Sequence, residues 1–175
     1  MITNARYIKT FEGMHIANLH GVMTPAQCDQ LVEFWLSNGA ILDEREAKRR
    51  TAEVVHLAFD EEERILGVNT CFVAAIDSGK GPESFWFYRQ FTQPSSRYLR
   101  VSRNLGRLSI SYFEQLYRLQ NGPVGIAIHL ENPKLYIPSA KRALSRQGLG
   151  FLGKDARNIE IWVRRFDAAP TQPTR

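Results

Sequence analysis

"EVVHLAFDEEERILGVNTCFVAAIDSGKGPESFWFYRQF", residues 53–91, is where the hydrophobic period of the chain changes. "EVVHLAFD" and "RILGVNTCFVAAI" are rich in β-branched and aromatic residues and are separated by the polar turn Asp60–Glu63, so both read as strands. "DSGKGPE" is a loop by composition. "SFWFYRQF" then reads as the third strand of an antiparallel meander. Three strands joined by short turns argue against a doubly wound parallel sheet. They predict an α+β fold with a mixed, mostly antiparallel central sheet flanked by helices. His56, set between Val55 and Leu57, reads as a strand-surface residue. The aromatics of "SFWFYRQF" read as core, with a base-stacking platform as the alternative.

Toward the N-terminus, residues 5–11 alternate weakly and read as a first strand, and His15 to Val22 have no clear period. "MTPAQCDQLVEFWLSNG" predicts a helix with Thr24 as N-cap, Pro25 at its first position and Gly39 at its end. "LDEREAKRR" predicts a second helix, acidic at its start and basic at its end. Toward the C-terminus, a helix carries Leu105, Leu108, Tyr112, Phe113 and Leu116 as its apolar stripe. "GPVGIAIHL" is a buried strand, "IPSAKRALSRQ" a helix stopped by Gly148, and "IEIWVRRF" the last strand. The expected order is β-α-α-β-β-β-α-β-α-β. One domain is expected over 1–166, with 167–175 as a flexible tail.

The chain has 175 residues, 43% hydrophobic and 23% charged, enough for one globular domain with a core. No apolar run approaches the roughly 20 residues of a membrane span. The N-terminus lacks a signal-peptide pattern, and two cysteines make no disulfide or metal framework. A cytoplasmic protein with no metal and no membrane partner is expected. The net charge is +5, unevenly spread: residues 1–88 carry 8 Lys+Arg against 13 Asp+Glu, and residues 89–175 carry 15 against 5. The basic half is either a solvated surface or a surface for an anionic partner, a phosphorylated cofactor or a nucleic acid.

The element order, together with "IAIHLENPKLYIPSAKRALSRQGLGFLGKDARNIEIWVRRF" (residues 126–166), resembles the GCN5-related N-acetyltransferase (GNAT) family. The family places an Ala, then Tyr four residues on, then Gly after four more. Ala140 and Gly148 hold the outer positions, and Leu144 stands where the Tyr is expected. The family also binds the pyrophosphate of coenzyme A with an Arg/Gln-x-x-Gly-x-Gly/Ala loop that opens a helix. Glycine lets the backbone approach the phosphate, and first-turn N–H groups point at it.

Two registers match that loop in part. Arg103-Asn104-Leu105-Gly106-Arg107-Leu108 fits four positions and then departs at Leu108. Arg97-Tyr98-Leu99-Arg100-Val101-Ser102 keeps the leading Arg and a small last residue but lacks the first glycine. The candidate cofactor-binding residues are therefore Arg97, Arg100, Val101, Arg103, Asn104, Leu105, Gly106 and Arg107. A ligand-free helix beginning after Pro94 also accounts for the stripe Tyr98, Val101, Leu105, Leu108, Tyr112 and Leu116. Against it, Arg97, Arg100, Arg103 and Arg107 would share one helix face and repel one another unless something neutralises them.

The resemblance implies an N-acyltransferase that uses acetyl-CoA or another acyl-CoA. An amine attacks the thioester carbonyl, so a base, oxyanion donors and a proton for the leaving thiolate are needed. His129 and Glu131 lie at the end of the predicted strand, where the family splays two strands to admit the cofactor; side-chain alternation would put them on one face, and they are the candidate bases. Tyr136 is the candidate acid in place of the missing Tyr, with Ser139 as the alternative. The acceptor amine is unspecified, with a nucleic acid or a protein among the candidates. The alternative is a catalytically silent GNAT-like module that binds nucleic acid or a protein partner through its basic half.

Overall fold

The computed structural model describes residues 2, 4–11, 13–77, 81–95, 100–120 and 122–167. Among them run β1 (Tyr7–Phe11), β2 (Met14–Asn18), α1 (Pro25–Ser37), α2 (Glu44–Thr51), β3 (Val54–Phe59), β4 (Ile65–Asp77) and β5 (Pro82–Thr92). They are followed by α3 (Val101–Gln120), β6 (Gly125–His129), a 3₁₀ turn (Pro133–Tyr136), α4 (Pro138–Arg146), β7 (Gly150–Lys154) and β8 (Glu160–Arg165). The strand order is β1-β2-β3-β4-β5-β6-β8-β7. The β1–β2, β2–β3, β3–β4, β6–β8 and β7–β8 pairs are antiparallel, and β5–β6 is parallel. The fold is a mixed, mostly antiparallel sheet flanked by helices.

Two strands go beyond the expected order. β2 is buried at four of its five positions, so its sequence MHIAN has no polar alternation to reveal it. β7 is GFLGK, mostly exposed and bracketed by glycines, and reads as loop on composition. Both complete hairpins, β1–β2 and β7–β8. No described helix is long and apolar enough to cross a membrane. Residues 168–175, nearly all of the expected tail, lie outside the described residues.

The chain divides into two compact units, residues 1–71 with 89–109, and residues 72–88 with 110–175. In the first, Leu31, Val32 and Trp35 of α1 bury against Ala17, Val54, Leu57 and Val68. A second cluster joins Met14, Ile16, Ala58 and Leu66 to Val101 and Leu105 of α3. α1 opens with a capping box: Gln27 N donates to Thr24 Oγ1 at 3.3 Å, and Thr24 N donates to Gln27 Oε1 at 2.9 Å. Such a cap contributes about 1 kcal/mol. β3 is buried at every position. His56 is therefore fully buried, not on the strand surface, because β3 is covered on both faces.

In the second unit, Phe85 and Phe87 of β5 pack with Ala127 of β6. Trp86, on the alternate face, stacks on Phe113 with ring centroids 4.4 Å apart. Both faces of the aromatic strand are thus packed, and no base-stacking platform forms there. Leu144 packs against Leu130, Leu149 and Trp162, which gives its apolar side chain a structural role. Glu83 holds Arg165 through two hydrogen bonds of 2.6 and 2.8 Å. A Cβ on Gly125 would collide with the carbonyl of Arg164 on the paired strand β8.

Candidate functional site

The first unit contains the start of α3. Val101 and Leu105, four apart, are fully buried and pin the first two turns to the sheet. Gly67 of β4 makes the close approach possible. A Cβ there would lie 3.0 Å from Val101 Cγ1, 3.1 Å from the Phe91 carbonyl and 3.4 Å from Leu105 Cδ1. With one face of α3 fixed, Ser102, Arg103 and Arg107 are exposed on the other.

The residue before the helix falls at a different position in each of the two registers. Arg100 has φ +57°, in the left-handed region, and its carbonyl accepts a hydrogen bond from Asn104 N at 3.1 Å. That conformation costs a non-glycine residue roughly 1–2 kcal/mol and is the one glycine adopts freely. In the register Arg97–Ser102, Arg100 occupies the position of the first glycine. In the other register all six residues, Arg103 to Leu108, lie inside α3. There Gly106 is a helix residue, and N–H groups beyond the first turn are used by the helical ladder. Arg97 itself lies outside the described residues.

Arg100, Arg103 and Arg107 are exposed, and among the described residues none makes an ion pair. Arg107 sits 6.0 Å from the centre of the Phe11 ring. Three acidic residues of the first half have other partners: Glu44 pairs with Lys48, Glu46 with Arg49 and Arg50, and Glu62 with Arg64. Arg100 and Arg103 thus stand without a carboxylate partner beside the first-turn N–H groups and the positive end of the helix dipole, with Arg107 one turn further on. Left-handed backbone, donors and cations together suit a pyrophosphate, so the residues present fit the cofactor that the family pattern implies.

The second unit contains the three candidate catalytic side chains. His129 ends β6, is half-buried, and packs on Phe87 with ring centroids 5.0 Å apart. Glu131 lies two residues beyond the strand, so strand alternation does not align it with His129. It is exposed and pairs with Arg157 at 3.2 Å. Tyr136 ends the 3₁₀ turn, 39% exposed, with Lys141 Nζ 5.4 Å from its ring centre. Among the described residues no group of three His, Cys, Asp or Glu side chains is placed to hold a metal.

A polar network that sequence reasoning missed lies in the first unit. Tyr7 pairs with Asn18, Asn18 with His56, and His56 with Asn69 across four neighbouring strands. His56 Nε2 is 2.7 Å from Tyr7 Oη and 3.2 Å from Asn18 Nδ2, and Ser109 Oγ of α3 is 2.9 Å from His56 Nδ1. Asn69 donates to the same Ser109 hydroxyl. Asn18 Oδ1 accepts from His20 N, which turns the Asn18 amide nitrogen toward His56. Nε2 is then an acceptor, and Nδ1–H donates to Ser109. Burial, and then the charge of nearby His20, lowers the His56 pKa to about 3.

No family model matches the chain, and no curated protein matches it. Solved structures do. The ribosomal-protein-S5-alanine acetyltransferase from Vibrio fischeri aligns with a TM-score of 0.63 at 11% identity, over 92% of this chain and 97% of that one. A GNAT-family acetyltransferase from Listeria monocytogenes aligns with a TM-score of 0.58 at 15% identity, over 91% and 99%. A mutant AtaT toxin bound to the C-terminus of the antitoxin AtaR and acetyl-CoA aligns with a TM-score of 0.57 at 10% identity, over 87% and 93%. The fold is that of the GNAT acetyltransferases.

Proposed function

We propose that this chain is an acyl-CoA-dependent N-acyltransferase that uses acetyl-CoA or another acyl-CoA. The observation that carries the proposal is the left-handed Arg100 at the head of α3, in a fold shared with acetyltransferases. The cofactor pyrophosphate is held by the first-turn N–H groups of α3. Arg97, Arg100 and Arg103 supply charge, and Val101 and Leu105 hold the turn in place from beneath. Asn104 and Arg107 flank the turn, and Gly106 has no direct part.

The bound acyl thioester supplies an activated carbonyl. His129 accepts the proton that the acceptor amine loses as its nitrogen attacks, and the Phe87 ring fixes the imidazole against β5. Glu131, its charge offset by Arg157, is the second candidate base for that proton. Tyr136 donates its phenolic proton to the departing thiolate. The fold neighbours include a ribosomal-protein acetyltransferase and a toxin bound to acetyl-CoA, and both support acetyl transfer. The test is mass spectrometry of the purified protein for co-purified coenzyme A, followed by thiol release from acetyl-CoA with a panel of amines. Release that depends on both amine and His129 supports the proposal.

A second reading is favoured by the exposed Arg100, Arg103 and Arg107 without carboxylate partners. It is a silent module whose cations contact nucleic-acid phosphates. Such binding is weak and falls steeply with salt. It leaves thiol release at background.

A further inference from the structure

We infer that a second copy of this chain docks its helix α4 into the groove between α1 and α2. The groove, about 580 Å³, is lined by Asp29, Val32, Glu33, Leu36, Glu44 and Lys48. Its floor is apolar, Val32 and Leu36. Its rim is acidic. Lys48 is engaged by Glu44 at 2.6 Å and lies near enough to Asp29 to feel its charge; Asp29 and Glu33 are exposed and make no ion pair among the described residues. On the loop joining the two helices, Leu42 is 89% exposed.

α4 has the complementary character. It has no buried residue. Arg142 and Arg146 are exposed and make no ion pair among the described residues, and Ile137 at its head is 53% exposed. The complementarity is also geometric. Asp29 and Glu33 are four apart on α1, and Arg142 and Arg146 are four apart on α4, so each pair forms a ladder with a rise of about 6 Å. A helix laid along a helix then places each carboxylate opposite a guanidinium. An association carried by exposed ion-pair ladders is weak and salt-sensitive.

Analytical ultracentrifugation of the intact protein over a concentration series, in about 0.05 M and about 0.5 M salt, tests this. Reversible self-association is expected at low salt and monomer at high salt. Asp29→Arg with Glu33→Arg, and separately Arg142→Glu with Arg146→Glu, should each weaken self-association at least about tenfold. Mixing the two variants should restore it, because each then offers the charge the other lost. Circular dichroism confirms that both variants fold. A wild type that is monomeric at every concentration in low salt overturns the inference. So does association that survives high salt or either reversal, or a mixture that stays monomeric.

Discussion

The imidazole Nδ1 of His56 stands 2.9 Å from the hydroxyl of Ser109, strand to helix, in a fully buried setting. That hydrogen bond ties β3 to α3 and fixes the proton on Nδ1. Ser109→Ala removes the acceptor for His56 and for the Asn69 amide together. Each buried group left without a partner costs about 1–3 kcal/mol. Loss of about 2–4 kcal/mol in urea unfolding is expected, with no change in the exposed face of α3.

The same histidine makes stability depend on pH. Its folded pKa is lowered to about 3 from 6.5, so the folded state holds His56 neutral while the unfolded chain protonates it below 6.5. The stabilisation is present above pH 6.5 and is lost as pH falls from 6.5 toward 3. Between pH 7 and pH 5 the loss is about 2 kcal/mol. Urea midpoints across that range should fall in the wild type and flatten in His56→Phe. An equal slope in both proteins contradicts the assignment.

Gly67 sits beneath the first turns of α3. Gly67→Val needs space already taken by Val101, Leu105 and the Phe91 carbonyl, and overpacking of this kind costs about 1–3 kcal/mol. Hydrogen exchange should quicken at residues 101–105 more than in α1.

The meander, the two N-terminal helices and the basic half were legible because each rests on a local signal: period, caps, charge. Gly67 carried one too, a glycine inside a β-rich run, which marks close backbone approach. His56 did not. Its neighbours Val55 and Leu57 suggested alternation, and only the pairing of β3 on both sides, with α3 above, shows that its face is covered. The cofactor register was equally beyond local reading. Both registers are degenerate, and no local pattern announces the left-handed backbone at Arg100. Leu144, conspicuous as the missing Tyr, is explained by packing against Leu130 and Trp162.

Arg100→Gly should relieve the left-handed strain and raise stability by up to about 1 kcal/mol. Arg100→Val should lower it, since a β-branched side chain tolerates that conformation poorly. If the cofactor lies on this turn, Arg100→Gly should bind coenzyme A within a few-fold of wild type, the backbone being kept while one charge is lost. Thermal melts with and without coenzyme A check both effects.

Calorimetric titration of coenzyme A into the wild type, Gly106→Val, Arg97→Ala and Arg103→Ala asks whether the cofactor is held at the head of α3. Binding is expected in the wild type. It should be nearly unchanged in Gly106→Val, where the new side chain sits inside α3 beyond the proposed phosphate turn. Arg97→Ala should lose about 1.5–3 kcal/mol, the worth of a charged hydrogen bond, and Arg103→Ala less. A wild type that binds neither coenzyme A nor acetyl-CoA at about 1 mM, an affinity of only about −4 kcal/mol, would contradict the account.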